Sequence, residues 1–387
     1  MASLFKVSKT WYFSIDVGKD ANGKRKKEKR GGFRTKEDAR KAASAVEVEL
    51  TNGTYLKEQD ITFAEFAKDW LKMYSVSVKA SSVRVRQHEI NLLHQYFNAI
   101  KLKDITKKQY QDALLALRDD GYAENTISGA HGTARMLFKK AVELDVIKRD
   151  PTEFAKPPRK QETLADLEQV EDIPKYLEKN ELAAFLHTAH AGGIEEDYTL
   201  FLVLSYTGIR AGECCALKWQ DIDFDAKAIR ISKTYYNPGN NIRNYELMTP
   251  KTKTSRRTVD VDQKVIDALD VLKKRQKIAM MKYRDIWHDE NFIFTVNKYP
   301  GYPMYIKLVE NRMARLLKLA GLNTELTPHS LRHTHTSLLA EAGVGLEEIM
   351  ERLGHADDDT TKRVYLHVTK DMKKEAAHKF SKLMDSL

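Results

Sequence analysis

The sequence predicts a multidomain protein that is mainly α-helical and contains small β-sheets. Three observations support this fold class. The chain has 387 residues, enough for two or three domains at roughly 150 residues each. Apolar side chains recur at the period of a β-strand in the first 34 residues and at the period of an α-helix in residues 60–155. Beyond a proline-containing stretch, helical patterns return and are interrupted by a β insertion.

These patterns divide the chain into four parts. We expect a small sheet plus a helix in residues 1–56, a helical domain in residues 60–155, a linker in residues 156–174 and a mixed α/β domain in residues 175–387. The stretch around the linker contains four prolines and shows little periodicity. Such composition is typical of an extended crossing segment.

The composition favours a polyanionic partner. Lys and Arg number 65 against 55 Asp and Glu, and the estimated pI is 9.2. This excess favours DNA, RNA or an anionic membrane as partner, although a basic protein with no such partner is an alternative. The two cysteines, Cys214 and Cys215, are adjacent, which predicts no disulfide framework and fits a reducing cytoplasm. No leader and no apolar run of about 18 residues is present, so we expect a soluble, intracellular protein that does not insert into membranes.

The N-terminal part reads as three strands followed by a helix. Apolar residues alternate with polar ones from Phe5 to Val17, and Asn22-Gly23 predicts a hairpin turn. The stretch "TKED", residues 35–38, predicts a capping box that opens a helix. One apolar stripe follows along that helix: Ala39, Ala42, Ala43, Val46 and Leu50.

The strand "KRKKEKRGGF" is unusually basic. Nine Lys and Arg lie between Lys19 and Lys36, against only Asp20 and Glu28. Lysines often protect the edge of a sheet, but this density exceeds what edge protection needs and favours contact with nucleic acid. The predicted contacts are Lys24, Arg25, Lys26, Lys27, Lys29 and Arg30.

Residues 60–155 read as four short helices. "TFAEFAKDWLKMY" places Phe63, Phe66 and Trp70 on one face, and "ENTISGAHGTARMLFKKAVEL" repeats the pattern. The helices "SSVRVRQHEINLLHQYF" and "ENTISGAHGTARMLFKKAVEL" each have a Ser, Asn or Thr near the start that could cap them. Their basic outer faces could grip phosphates, or the four helices could form an ordinary bundle.

The C-terminal part carries the chemically suggestive motifs. "YTLFLVLSY" predicts a buried helix broken at Thr207-Gly208, and "GLEEIMERLG" predicts a helix that Gly354 ends. "AIRISKTYY", "ELMTPKTKTSRRTVDVD" and "FIF" read as strands and hairpins. An apolar stripe in residues 372–387 could close its own domain or dock on a neighbouring subunit.

Four residues in this part are candidates whose individual signals are weak. They are Arg210 in "TGIRAGE", His329 and Arg332 in "HSLRH", and His355 in "LGH". A lone arginine of this kind is commonly an ion-pair partner, here of Glu213. "HSLRHTH" also places two histidines at i and i+4, but no HExxH, CxxC or carboxylate cluster accompanies them, so we expect no metal site.

Taken in order, the motifs resemble the catalytic domain of the tyrosine recombinases, the phage-integrase family. The matching stretches are "TGIRAGECCALKW", "PKTKTSRRTV", "HSLRHTHTSLL" and "LGHADDDTTKRVYLHV". The helical part resembles the core-binding domain of that family. The basic sheet resembles the arm-DNA-binding domain of integrases from phages and conjugative transposons of low-GC Gram-positive bacteria. The resemblance therefore covers nearly the whole chain and implies a mixed α/β tyrosine-recombinase domain at its C-terminal end.

The resemblance assigns the nucleophile and the phosphate ligands. Tyr365 is the expected nucleophile, and Arg210 and Arg332 are expected to hold the non-bridging oxygens of the scissile phosphate. Guanidinium groups suit that role because they bind such oxygens bidentately and keep their charge.

The resemblance also assigns the residues that move protons. His329 is the expected general base, and His355 is expected to donate to a phosphate oxygen. In the family a lysine on a β-hairpin protonates the leaving 5′ oxygen; here that residue is Lys251, with Lys253 as the second choice. His333, His335 and His367 are expected to be structural.

The implied activity is site-specific integration and excision of a mobile element through a 3′-phosphotyrosine intermediate, with no metal, ATP or other cofactor. The implied partners are double-stranded DNA at core and arm sites, three further copies of the chain in a homotetramer, and an excisionase or a DNA-bending accessory protein. Two alternatives are a relaxing enzyme of the type IB topoisomerase kind and a DNA-binding regulator without catalysis.

Overall fold

A computed structural model describes residues 2–19, 23–52, 55–56, 59–159, 175–194, 196–250, 253–354, 359–368 and 384. The chain forms two compact units, Met1–Asp166 and Leu167–Leu387. The predicted mainly helical architecture with small antiparallel sheets is confirmed. Of the predicted linker, only residues 156–159 are described, and the apolar stripe of residues 372–387 lies outside the described residues, apart from residue 384.

The first unit opens with an antiparallel sheet in the order β1-β2-β3, which α1 covers on one face. The elements are β1 Ser3–Val7, β2 Thr10–Lys19, β3 Arg25–Phe33 and α1 Lys36–Thr51. Phe13 and Ile15 of β2 are buried against Ala43 and Val46 of α1, as the apolar stripe predicts. Thr35 caps α1 by accepting the Asp38 N–H. The predicted capping box is only half present, because the Asp38 carboxylate accepts a hydrogen bond from the Thr35 hydroxyl and not from the Thr35 backbone N–H.

Four α-helices with one shared core follow among the described residues of the first unit. They are α2 Phe63–Ser75, α3 Ala80–Phe97, α4 Lys107–Asp119 and α5 Glu124–Glu143. The predicted apolar faces of α2 and α5 are buried in that core. The predicted caps of α3 and α5 are wrong. These helices begin before their Ser, Asn and Thr residues, and Lys79 and Ala123 occupy the N-cap positions without a side-chain bond.

The second unit contains eight helices among its described residues. They are α6 Lys179–Gly192, α7 Asp197–Thr207, α8 Ala211–Cys215, α9 Gln263–Lys282, α10 Ile306–Leu319, α11 Pro328–Glu341, α12 Leu346–Leu353 and α13, residues 359–368. Helix α7 runs through the core, and Leu200 to Leu204 are fully buried. Gly208 and Gly354 end α7 and α12 in the left-handed conformation, at φ +62° and +70°, as predicted. Cys214 and Cys215 are buried free thiols, and burial raises the pKa of Cys215 to about 12.

Three small sheets complete the second unit as described. The strands are β4 Ile222–Asp223, β5 Ala228–Ile231, β6 Thr234–Tyr236, β7 Glu246–Met248, β8 Arg257–Asp260, β9 Thr295–Val296 and β10 Tyr299–Pro303. They pair as β4-β5-β8, β6-β7 and β9-β10. The predicted strand "FIF" is wrong: Phe292 makes only an isolated bridge with Lys218, and the strand begins at Thr295. None of the described helices is both long and apolar enough to cross a membrane.

Candidate active site

Arg332 connects three of the sequence motifs. It lies on the buried side of α11 and is only 2% exposed. Its Nη1 donates to the carbonyl of Gly208, and its Nη2 donates to the carbonyl of Leu353, both at 2.6 Å. Gly208 stands two residues before Arg210, and Leu353 stands two residues before His355. One guanidinium therefore holds the C-terminal ends of α7 and α12 beside α11.

Arg210 occupies the N-cap position of α8 and keeps a partly open side chain, 39% exposed. Glu213 holds it from one turn further along. The Glu213 carboxylate accepts the Arg210 N–H at 3.0 Å and the Arg210 Nη1 at 3.0 Å. The sequence-based expectation that these two residues form an ion pair is confirmed. The guanidinium of Arg210 is thus partly exposed, and Glu213 in the first turn of α8 holds it in place.

Arg257 is a member of this cluster that sequence reasoning missed. Its Nη2 lies 3.1 Å from the same Glu213 carboxylate, and its Nε donates to the carbonyl of Arg352 at 2.7 Å. Burial by itself would raise the pKa of Glu213, but the charges and hydrogen bonds of Arg257 and Arg210 outweigh it and hold that pKa below its usual range. Glu213 therefore stays ionised. The available signal was Arg257 itself, the second arginine in "TSRRTV". A buried carboxylate such as Glu213, whose other partner Arg210 is partly exposed, needs a second cation.

A second layer supports the ends of α7 and α12. Arg352 donates from Nη2 to the carbonyls of Tyr206 and Asp260 at 3.1 and 2.9 Å, and from Nε to Nε2 of His335 at 3.1 Å. The Nδ1–H of His335 then donates to the carbonyl of Ser205 at 2.9 Å. Burial, reinforced by the charge of Arg352, lowers the pKa of His335 to about 3. This histidine is neutral and has the structural position that the sequence suggested.

His329 lies in the first turn of α11, three residues before Arg332, and its side chain is exposed. Its ring meets the ring of His333 edge-on, with centroids 4.7 Å apart. His329 is thus exposed, whereas Arg332 on the same helix is buried, and the predicted sharing of one helix face by the two residues stays a prediction.

Tyr365 lies on α13 and is half-buried. Its side chain packs against the apolar cluster of Ala340, Ile349 and Leu353. Leu353, whose carbonyl receives Arg332, is a member of that cluster. His355 and Lys251 lie outside the described residues, and Lys253 begins the 3₁₀ turn Lys253–Ser255.

The predicted DNA contacts of the basic strand fall on two faces of the N-terminal sheet. Lys27 and Lys29 pair with Asp16 and Ser14, and alternation places them on the face opposite the buried Phe13 and Ile15. The same open face carries Phe5 stacked on Tyr12, with centroids 5.8 Å apart. Tyr12 lies directly over Gly31, where an added Cβ would overlap the ring.

Arg30 belongs to the other face. Its Nε lies 2.8 Å from the Glu28 carboxylate, which also accepts the hydroxyl of Tyr55. Burial and Glu28 together raise the pKa of Tyr55 to about 12. Arg25 lies 3.9 Å from Asp16. Lys24 and Lys26 are exposed.

Three family descriptions match the chain. An arm DNA-binding domain matches residues 6–50, an N-terminal SAM-like domain of phage integrases matches residues 62–117, and the phage integrase family matches residues 175–372. The predicted resemblance is thereby confirmed.

Two known integrases and one solved integrase structure are similar to this chain along most of their length. The prophage ps2 probable integrase of Lactococcus lactis is 32% identical over 80% of each chain. The integrase of Staphylococcus phage L54a is 29% identical over 88% of this chain and 98% of its own. The solved structure of the Tn1549 transposon integrase in complex with transposon right end DNA has a TM-score of 0.66 and 22% identity, over 83% of this chain and 100% of that one, and so shares its fold. The family match and the identity to the Lactococcus protein show that the chain belongs to the phage integrase family and is a tyrosine site-specific recombinase.

Proposed function

We propose that this recombinase integrates and excises a mobile DNA element by cutting and rejoining strands through a 3′-phosphotyrosine on Tyr365. The observation that supports the proposal is the position of Arg332, which binds the carbonyls of Gly208 and Leu353, because Gly208 precedes Arg210 by two residues and Leu353 belongs to the cluster against which Tyr365 packs. Residues that are far apart in sequence and belong to one reaction are expected to meet in this way.

The first chemical step exchanges one phosphoester for another. The Tyr365 oxygen attacks the scissile phosphorus, its proton passes to His329, and the bond from phosphorus to the 5′ oxygen breaks. Lys251, or Lys253 as the second choice, gives the leaving oxygen its proton. A 5′-hydroxyl of another strand then attacks the phosphotyrosine and releases Tyr365, so the ester bond is conserved and no external energy source is required.

Charge stabilisation is the main contribution of the protein. The transition state carries extra negative charge on the non-bridging oxygens, and Arg210 and Arg332 face it as fixed cations. His355 adds a further donor. Preorganised donors of this kind commonly contribute on the order of 3–4 kcal/mol each. Glu213 and Arg257 do not need to touch the DNA, because their role is to hold Arg210 in place.

DNA binding is divided between the domains. We propose that the four-helix region (residues 60–155) and the catalytic region (residues 175–387) bind the core site, and that the N-terminal sheet (residues 1–56) binds a separate arm site. Lys27 and Lys29 are the strongest arm contacts, because they share the open face with Tyr12. The assembly is a homotetramer that works with an excisionase or a DNA-bending protein, in the cytoplasm of a bacterial host.

The test uses a nicked suicide substrate that carries the core site. Wild-type protein should form a covalent adduct with the 3′ end of the cut strand, and Tyr365→Phe should form none while still binding the DNA. Failure of the wild-type protein to form an adduct would leave a DNA-binding regulator as the better description. Relaxed circles without recombinant junctions would identify the topoisomerase activity instead.

A further inference from the structure

The open face of the N-terminal sheet carries different side chains on its central strand and on its edge strand β3. In the order β1-β2-β3, the central strand is β2. Alternation along β2 places Tyr12, Ser14 and Asp16 on the open face. The register places Lys29 of β3 opposite Ser14 and Lys27 opposite Asp16. The cations of β3 therefore flank a central row of uncharged or acidic side chains.

This division fits the major groove of DNA. Neighbouring strands lie about 4.8 Å apart, so three strands span about 10 Å, and the major groove is about 12 Å wide. Phosphates line the rims of the groove and base edges form its floor. The match of residues 6–50 to an arm DNA-binding domain supports DNA as the ligand. A sheet seated in the groove turns the cations of β3 toward phosphates and the central strand toward bases.

Asp16 is a carboxylate on a face that attracts phosphates. Its side chain is 43% exposed. A carboxylate repels phosphates, so it would only lower the affinity of a surface that contacts nothing but the DNA backbone. In contrast, a carboxylate binds a base edge well, because it accepts a hydrogen bond from the N4 amino group of cytosine. The position and the chemistry of Asp16 thus favour contact with a base.

The local backbone fixes one oxygen of Asp16 and leaves the other accessible. Oδ1 accepts the Gly18 N–H at 3.1 Å. Gly18 has φ +115°, a backbone angle that glycine adopts without strain. Oδ2 lies 3.9 Å from Nε of Arg25, which is longer than a hydrogen bond. A carboxylate that is already held in place loses little side-chain freedom when its second oxygen binds a ligand.

We propose that Asp16 determines sequence specificity at the arm site by accepting a hydrogen bond from the N4 amino group of a cytosine. This inference rests on the proposed binding of arm DNA by the N-terminal sheet. Adenine also presents an amino group in the major groove, but its N7 acceptor lies beside that group and repels a carboxylate. Lys27 and Lys29 remain phosphate contacts, which supply affinity without sequence information.

Binding of the full-length protein to an arm-site duplex that lacks the core site tests this inference. Each base pair of the duplex is replaced in turn. For wild type, replacement of the recognised cytosine by thymine should weaken binding about tenfold, the usual cost of one mismatched base pair. Asp16→Asn keeps the shape of the side chain and an oxygen for the Gly18 N–H, but it turns an NH₂ donor toward the base. It should reduce the penalty at this one position to less than about twofold.

The loss of charge gives a second readout that a structural role would not produce. Asp16→Asn removes a negative charge from the face that binds DNA. Its affinity for a random-sequence duplex of the same length should therefore equal or exceed that of wild type. If Asp16 served only to hold the end of β2, the variant would bind the arm-site and random-sequence duplexes more weakly and keep the preference for cytosine.

Two further variants are the controls. Glu37→Gln neutralises an exposed carboxylate on α1, which covers the other face of the sheet, and should match wild type on every duplex. Arg25→Ala removes the cation nearest to Oδ2 of Asp16. It should weaken binding to all duplexes alike and keep the preference for cytosine. Loss of that preference in Arg25→Ala would assign the recognition to Arg25 and overturn the inference.

The outcomes separate this inference from the proposed function. Wild-type protein that binds the arm-site duplex no better than the random-sequence duplex would overturn the proposed binding of arm DNA. Wild-type protein that prefers the arm site, combined with an Asp16→Asn variant that keeps every base preference, would overturn only the role of Asp16. Adduct formation on the core-site substrate should stay at the wild-type rate in all three variants, which shows that each of them is folded.

Discussion

Replacing Glu213 with glutamine should destabilise the catalytic unit by about 3 kcal/mol at neutral pH. The carboxylate receives the Arg210 N–H, the Arg210 Nη1 and the Arg257 Nη2. Because Arg257 is only 7% exposed, loss of its charged partner contributes most, roughly 2–3 kcal/mol. Arg210 is 39% exposed and screened by solvent, so its share is at most about 1 kcal/mol.

The pH dependence of that difference gives the prediction its sharpest form. The folded-state pKa of Glu213 is lowered, so its stabilisation is complete above the unfolded value of roughly 4.3 and is lost as pH falls further through the folded value. The gap in stability between wild type and Glu213→Gln should therefore be constant from pH 7 to about pH 5 and shrink below about pH 4.

Native-state hydrogen exchange of the α7 and α8 amides measures this gap in the full-length chain. Glu310→Gln is the matched control, since its carboxylate forms an exposed pair with Lys307 and should change stability by less than about 0.5 kcal/mol. A Glu213→Gln effect below about 1 kcal/mol, or a gap that does not change down to pH 3, would refute the reasoning that Glu213 is a buried, ionised clamp.

Three further predictions follow from the same geometry. Gly208→Ala should lower the free energy of unfolding, measured by urea denaturation, by about 2–4 kcal/mol, because φ is +62° and the new Cβ would lie 2.7 Å from His335 and Leu353. Gly239→Ala is the control, since an added Cβ at that position would have no atom within 4 Å. Lys29→Ala should make the negative slope of log affinity for arm DNA against log salt concentration shallower by about 0.9, whereas Arg30→Ala should leave the slope unchanged. Equal changes in the two variants would contradict the assignment of Lys29 and Arg30 to opposite faces of the sheet. Because the pKa of folded His335 is about 3, the unfolded chain takes up a proton at this residue at higher pH than the folded chain does. The free energy of unfolding of the wild type should therefore fall by about 2 kcal/mol between pH 6.5 and pH 5, and His335→Gln should lack this fall. An unchanged dependence of stability on pH in His335→Gln would show that His335 is not buried and neutral.

The sequence was a sufficient guide to elements with strong periodicity. The apolar stripes of α1, α2 and α5 and the glycine stops of α7 and α12 are confirmed, because each depends on local spacing or on one backbone angle. Helix starts were harder: α3 and α5 begin without a side-chain cap, since their burial in the four-helix core sets their length. "FIF" is buried but not a strand, because a short apolar run does not reveal its pairing partner.

The candidate site shows a similar division. The motifs identified Arg210, Arg332 and Tyr365 by their order, and their roles remain predictions. The contacts between the motifs could not be predicted, because the carbonyl partners of Arg332 lie 124 and 21 residues away along the chain. Arg257 was missed for the same reason. Likewise, the strand pattern indicated basic residues but did not separate Lys29, on the open face, from Arg30, which pairs with Glu28.

The two carbonyl bonds of Arg332 determine which inactive variant is useful in experiments. A substitution of Arg332 removes a candidate phosphate ligand. It also removes the hydrogen bonds that hold the C-terminal ends of α7 and α12. A protein altered there can lose synapsis, DNA affinity and solubility for reasons unrelated to strand cleavage. Tyr365→Phe deletes a single oxygen from a half-buried ring, so trapped complexes and dominant-negative studies should be built on that variant.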